Sequence, residues 1–233
     1  MKKKIIKIKW KNTNPRITIL TSKKSWVKDY HSLIVNSLKK FKKKSLKIIS
    51  DHKKISKSEI TFYLGYYKLV KQKYLKKSKL NLVIHESNLP EGRGSSPATW
   101  QVLRNKNNFR ISIFNIGLDN TVVDSGNIFF KSNIKLNGFE LIEEIRDKII
   151  KEYIFLINKV LNAPIIYFGK KQKGKITYFK KRTSNDSKLS INKTINENFS
   201  LLRVVDNKRY PAFFKKGNKE FIIKIYPKKN EKN

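Results

Sequence analysis

Leu80-Asn81-Leu82-Val83-Ile84-His85 is an apolar run broken only by Asn81 and closed by a histidine, and it leads directly into Glu86-Ser87-Asn88-Leu89-Pro90-Glu91-Gly92-Arg93-Gly94. The run has the length of a strand, and the Pro and Gly residues beyond it end that strand in a loop. Working back from it, Ile60–Leu64, Leu46–Ile49 and the β-branched Arg16–Leu20 read as further strands. Between the first two in the chain, Trp26, Tyr30, Leu33, Ile34, Leu38 and Phe41 recur at spacings of three and four, which predicts a helix with one apolar face. Residues 1–15 form a basic lead with an edge strand at Ile5–Trp10. Strand, helix and three strands joined by basic turns predict a three-layer α/β sheet, because nearly continuous apolar strands need cover on both faces.

Working forward, Ser95-Ser96-Pro97 opens a helix, with a serine as N-cap and Pro in the first turn. Phe109–Ile116 and Ile128–Leu136 alternate as strands, and Phe139–Leu161 is a long helix with acidic Glu140, Glu143 and Glu144 at its start. The α/β core spans 1–163. A small α+β extension, 164–233, follows as a substrate or dimer contact. In it Pro164–Phe168 and Ile176–Lys181 read as one hairpin, Ile195–Val205 as a helix, and Ala212–Lys216 with Glu220–Tyr226 as a second hairpin around Gly217-Asn218.

The formal net charge of +37 points first to nucleic acid. Yet only 8 of the 54 basic residues are arginine, the side chain best suited to phosphate and base recognition. The other 46 are lysines, set among 30 isoleucines and 23 asparagines, all residues with AT-rich codons. Base bias therefore explains the charge without a partner, and attraction to the phosphates of a nucleotide or an RNA remains the other reading. With no cysteine, disulfides, thiolate catalysis and Cys-ligated metals are excluded. No stretch reaches the roughly 18–20 apolar residues of a membrane span and no signal peptide is readable, so a cytoplasmic protein is expected.

Ligands of open α/β sheets bind beyond the carboxyl ends of the strands, where His85 lies. A lone histidine there is as readily a satisfied core residue. The glycine-rich loop lets backbone approach a ligand, and Val123-Asp124-Ser125-Gly126 offers a carboxylate on a turn, a place where Asp is also common for turn chemistry alone.

His85-x-Ser87-x-Leu89-Pro90-x-x-Arg93-Gly94-x-x-Pro97 resembles the signature loop of the folate-dependent formyltransferases, the group that includes glycinamide ribonucleotide transformylase, methionyl-tRNA formyltransferase and the sugar N-formyltransferases. Asp124-Ser125-Gly126 resembles their Asp-small-Gly turn, and Leu201–Phe214 is most similar to the short sugar enzymes. The resemblance runs from about Arg16 to Tyr226. It implies a Rossmann-like core with a mixed, mostly parallel sheet, and transfer of a formyl group from N10-formyltetrahydrofolate to an amine.

In that reading His85 hydrogen-bonds the developing oxyanion and Asp124 fixes the imidazole or takes the amine proton, roles each worth about 10²–10⁴-fold in rate. The family's asparagine two residues before the histidine is Val83 here. Asn81 lies roughly 13 Å from His85 along the strand, too far to share one oxyanion. Asn88 is the candidate substitute, a backbone N–H or no third donor being the alternatives. The resemblance places the folate pocket at Leu64, Gly65, Tyr66 and Tyr67 and at Ile116, Gly117 and Leu118, although the tyrosines serve equally as core cover. It places the amine substrate against Arg93, Gly94, Ser96, Trp100 and Arg182, with Arg203 and Arg209 as further candidates; each arginine suits a salt bridge as well. No metal site is expected. A methionyl-tRNA enzyme normally adds a separate β-barrel domain, so a nucleotide-linked amino sugar such as a 4-amino-4,6-dideoxyhexose, a place in lipopolysaccharide biosynthesis and a homodimer are expected. The alternatives are methionyl-tRNA formylation and non-catalytic nucleic-acid binding.

Overall fold

The computed structural model describes residues 15–39, 45–116, 122–163 and 169–228, together with the backbone of 5–6 and 166–167. Phe41, residues 7–10 of the expected edge strand, and Gly117 and Leu118 of the expected folate pocket lie outside the described residues.

In chain order the strands begin with β1 (Ile5–Ile6), β2 (Ile17–Leu20), β3 (Leu46–Ile49), β4 (Ser58–Leu64) and β5 (Ser78–His85). A two-residue strand, β6 (Arg93–Gly94), sits in the loop after β5, followed by β7 (Asn108–Asn115) and β8 (Ile128–Lys135). Short strands β9 (Ile166–Tyr167) and β10 (Tyr178–Phe179) and a hairpin, β11 (Ala212–Lys216) and β12 (Lys219–Ile223), complete the set. The helices are α1 (His31–Ser37), entered through a 3₁₀ turn at Trp26–Tyr30, α2 (Gln72–Leu75), α3 (Pro97–Leu103), α4 (Ile142–Asn162) and α5 (Ile195–Leu202).

The central sheet has the order β3-β2-β4-β5-β7-β8. Its first four strands are parallel, β7 is antiparallel to β5, and β8 is antiparallel to β7. This is the mixed, mostly parallel α/β sheet that the sequence predicts. Strand alternation divides β5 between two cores. Leu80, Leu82 and Ile84 enter the main core beneath α1 and α4, whereas Val83 packs on the opposite face with Leu20, Tyr63, Leu75, Tyr66 and Ile116. Asn81, on that second face, accepts from Tyr63 Oη at 2.9 Å and donates to Leu75 O at 3.0 Å. It is a satisfied buried amide. His85 follows Val83 at the same period, so it emerges at the strand end on the face opposite the main core.

Helix α4 buries Ile142, Ile145, Ile149, Ile150, Tyr153, Leu156, Ile157, Val160 and Leu161 along one stripe. Each of the aliphatic side chains stabilises the fold by about 1.5–3 kcal/mol relative to exposure. The helix starts at Ile142 rather than at Phe139. Glu140 accepts from the Asn137 and Gly138 amides at 2.8 and 3.1 Å, which holds a turn before the helix and leaves Phe139 exposed.

The hairpin read from 164–168 and 176–181 does not form. β9 pairs antiparallel with β1, and β10 lies parallel to β6. Each short run completes the unpaired edge of a different segment, an outcome that local turn chemistry does not signal. The second hairpin forms as predicted, closed at Gly217 with φ +57. The segment after α4 is tied to α4 and the turn before it by Arg203 to Glu140 at 3.3 Å and Arg146 to Asp206 at 2.7 Å, all four side chains being mostly or fully buried.

Candidate active site

His85 is paired across the sheet with Ser112, which is paired with Lys131, so the three side chains stand in one row on one face. The imidazole Nε2 lies 2.8 Å from Gly92 O. A carbonyl only accepts, so the ring is the donor. Asp124 Oδ2 lies 3.8 Å from the same nitrogen. Asp124 has φ +53, in the left-handed region that Asp tolerates better than most residues, and its Oδ2 accepts from Gly94 N at 2.9 Å. The turn is pressed against β7. A Cβ on Gly126 would lie 1.6 Å from Asn115 O, so only glycine fits there. Two segments far apart in the chain are thus brought together at His85, as the paired motifs predict.

The loop after His85 is held at several points. Tyr153 Oη donates to Glu86 Oε1 at 2.5 Å, Gln101 Nε2 to Glu86 O at 2.7 Å, and Ser112 Oγ to Ser87 O at 2.7 Å. The Leu89–Pro90 peptide is cis. Lys131 Nζ donates to Asn88 Oδ1 at 2.6 Å and to Leu89 O at 3.0 Å. Burial and nearby Arg110 hold the Lys131 ammonium below its usual range. Asn88 thus presents its side-chain oxygen to Lys131, the lysine in the His85 row, so its Nδ2 is the group that would serve as the expected third donor. Val83 is a half-buried apolar residue at the position two before His85.

The other expected residues divide. Leu64 is fully buried, and Gly65 adopts φ +57 at the end of β4. Tyr66 Oη is 2.7 Å from His52 Nδ1, while Tyr67 is exposed. Ile116 donates its N–H to Asn81 O at 2.9 Å and shares the second core with Tyr66 and Val83. Gly94 lines the Asp124 contact. Ser96 has φ 54 and makes no side-chain cap, so the expected N-cap bond is absent; left-handed backbone is not the extended conformation from which a capping hydroxyl reaches the first turn. Trp100 Nε1 donates to Lys180 O at 2.8 Å, and Lys180 Nζ lies over its ring.

The arginines are engaged within the protein. Arg182 is buried and donates to Val204 O at 2.7 Å and Ser187 Oγ at 3.1 Å. Arg93 is buried against Gln172, Arg203 against Glu140, and Arg209 pairs with Asp29 and Asp206. Protein acceptors meet most of these donors, while Arg182 Nε is buried with no hydrogen-bond partner among the described residues, which carries a desolvation cost.

Lys131, Gln172 and Thr177 carry no motif that marks them in the sequence, yet all three contact the site. Thr177 accepts from Gly92 N at 2.8 Å through its hydroxyl, and its carbonyl accepts from Arg93 N at 2.9 Å. Gln172 touches both Arg93 and the Asp124 turn. The β-branched and aromatic run at Ile176–Phe179 did signal a strand, but its partner, β6, is only two residues long and leaves no periodicity to read.

Among the described residues no helix is long and apolar enough to cross a membrane, and no group of three or more His, Asp or Glu side chains is placed to hold a metal ion.

No protein-family model matches the chain. Over 161 residues it is 31% identical to methionyl-tRNA formyltransferase of Thermosipho melanesiensis, which covers 67% of this chain and 49% of that protein. The chain spans about half the length, or less, of the curated relatives it matches. Among solved structures, methionyl-tRNA formyltransferase from Clostridium thermocellum superimposes with a TM-score of 0.75 at 23% identity, covering 93% of this chain and 95% of that one. A sugar N-formyltransferase from Shewanella gives 0.60 at 14%, covering 92% and 98%. HypX from Aquifex aeolicus in complex with tetrahydrofolic acid gives 0.69 at 13%, covering 95% and 39%. The chain has the formyltransferase fold.

Proposed function

We propose that this chain is an N-formyltransferase that carries a formyl group from N10-formyltetrahydrofolate to the amine of a nucleotide-linked amino sugar. The observation that carries the reading is the approach of Asp124 Oδ2 to within 3.8 Å of His85 Nε2 at the carboxyl end of a central strand. The surroundings fit the formyl carrier. Half-buried Val83, with Tyr66 and Ile116 in the same cluster, offers an apolar floor next to His85 for a flat reduced pteridine. The carrier supplies the one-carbon unit. A neutral amine attacks the formyl carbon, the carbon–nitrogen bond to the carrier breaks, and the proton lost by the amine ends on the departing carrier nitrogen. His85 Nε2, freed from Gly92 O, donates to the oxygen on which negative charge develops. Asp124 takes the amine proton directly or through water. The likeness of Leu201–Phe214 to short sugar enzymes favours a sugar amine.

A second reading rests on the 31% identity to methionyl-tRNA formyltransferase and on the charge of +37. The two separate by incubating the protein and N10-formyltetrahydrofolate with dTDP-, UDP- and GDP-linked 4-amino sugars and, in parallel, with charged initiator tRNA. Formylation of a sugar nucleotide is the expected result. Robust tRNA formylation without sugar turnover overturns the sugar assignment, and salt-steep RNA binding with no transfer overturns the enzyme assignment.

A further inference from the structure

We infer that Gln172 is a positioning residue that sets the approach of the Asp124 carboxylate to His85. The inference rests on the proposed formyl transfer for its kinetic meaning but not for its geometry. The Gln172 amide is fully occupied. Its Oε1 accepts from Arg93 Nη2 at 2.7 Å and from Arg93 Nε at 3.3 Å. Its Nε2 donates to Asp124 O at 2.7 Å and to Gly126 O at 2.8 Å. The chemistry fixes the orientation, since a guanidinium only donates and carbonyls only accept. One side chain therefore ties the two halves of the site together. On one side is Arg93, which is 5% exposed and is flanked by Gly92, the acceptor of the His85 proton, and by Gly94, the donor to Asp124. On the other side is the turn that carries Asp124.

The amide is itself held in place from both directions along the chain. Lys170 exchanges two backbone hydrogen bonds with Ile128, at 2.8 and 2.9 Å, at the start of β8. Thr177 and Phe179 bond Gly92, Arg93 and Ser95. Asp124 is consequently gripped at two atoms, its carboxylate by the loop and its carbonyl by Gln172. Release of the carbonyl leaves a strained turn, with φ +53, free to relax. Misplacement of a catalytic group by about 1 Å costs on the order of 10²-fold.

Gln172→Glu separates the two functions. It keeps an acceptor for Arg93 and turns the two donors toward Asp124 and Gly126 into an oxygen facing two carbonyls. Gln172→Ala removes both. The expected kinetic result for each is a kcat lower by about 10–100-fold, with KM for both substrates little changed. The second readout is independent of activity. The chain has three histidines, and long-range proton–nitrogen spectra of their rings, assigned with His85→Ala, follow the His85 environment. Movement of the His85 signals in Q172E, with those of His31 and His52 in place, supports the positioning role. If those signals move and the wild-type protein transfers no formyl group, the positioning stands and the proposed reaction fails. Unmoved His85 signals, or a raised KM at unchanged kcat, overturn the inference.

Discussion

His85 Nε2 donates to Gly92 O at 2.8 Å, so the nitrogen that faces Asp124 is already committed to the loop backbone. The imidazole must leave that carbonyl to serve a developing oxyanion. The loop thus holds the ring in one tautomer and supplies a resting partner of modest strength, since a neutral hydrogen bond contributes about 0.5–1.5 kcal/mol net. His85 lies outside both main apolar clusters. His85→Ala is therefore expected to leave the circular dichroism spectrum intact and to lower formyl transfer by about 10²–10⁴-fold. Wild-type rates in an assay with N10-formyltetrahydrofolate would remove His85 from the reaction.

Asp124→Asn tests charge without disturbing shape. Asn tolerates φ +53 as well as Asp does, and its side-chain oxygen still accepts from Gly94 N. The carboxylate's capacity to take a proton is what disappears. The expected result is a kcat reduced by about 10²-fold or more with little change in thermal midpoint. Asp124→Ala adds strain of about 1–2 kcal/mol because a Cβ-bearing residue without a local hydrogen bond is forced into the left-handed region. A midpoint lower for Ala than for Asn, at similar residual activity, distinguishes the two effects in one melting series.

The fold was legible because its strands are continuous apolar runs. Arg16–Leu20, Ile60–Leu64 and Leu80–His85 all became parallel neighbours, and the α4 stripe was visible at helical spacing. His85 and Asp124 were legible because their motifs carry a resemblance. What the sequence hid was the identity of hydrogen-bond partners. Asn88 is the candidate third donor, yet nothing in the loop signals that Lys131, distant in sequence, holds its side-chain oxygen. Arg93, Arg182 and Arg203, chosen as phosphate ligands, are buried and bonded to protein acceptors, where a planar, multidentate donor fits better than lysine.

Gly94→Ala tests the contact between the loop and β10. Gly94 has φ +100, and a Cβ built there lies 2.3 Å from the Phe179 carbonyl oxygen. Backbone, not a flexible side chain, occupies the space, so either β6 or β10 must move. The expected cost is on the order of 1–3 kcal/mol, with loss of transfer activity and faster proteolytic cleavage within 169–180. Activity and cleavage at wild-type levels would show that β10 does not order the loop.

Acid stability should depend on the ion pairs that tie α4 to the segment after it. Burial pushes the Glu140 carboxyl up, but hydrogen bonds from Lys148 and from the Asn137 amide override it and hold the group at about 2. Burial likewise pushes Asp206 up, and Arg146 with the Arg209 and Lys208 amides brings it down to about 2. Both folded values lie below those of an unfolded chain, where Glu and Asp titrate near 4. Their contribution, on the order of 2 kcal/mol each, is therefore complete above about pH 5 and is lost as pH falls from 4 toward 2. Urea midpoints of the wild-type protein should drop steeply across that window. Glu140→Gln should be less stable than wild type at pH 6, where the ionised carboxylate holds Arg203 and Lys148, and the gap should close near pH 2 as the wild-type carboxyl protonates. A gap that stays constant from pH 6 to pH 2 would mean that Glu140 stabilises through packing alone and that its ionisation is not linked to folding.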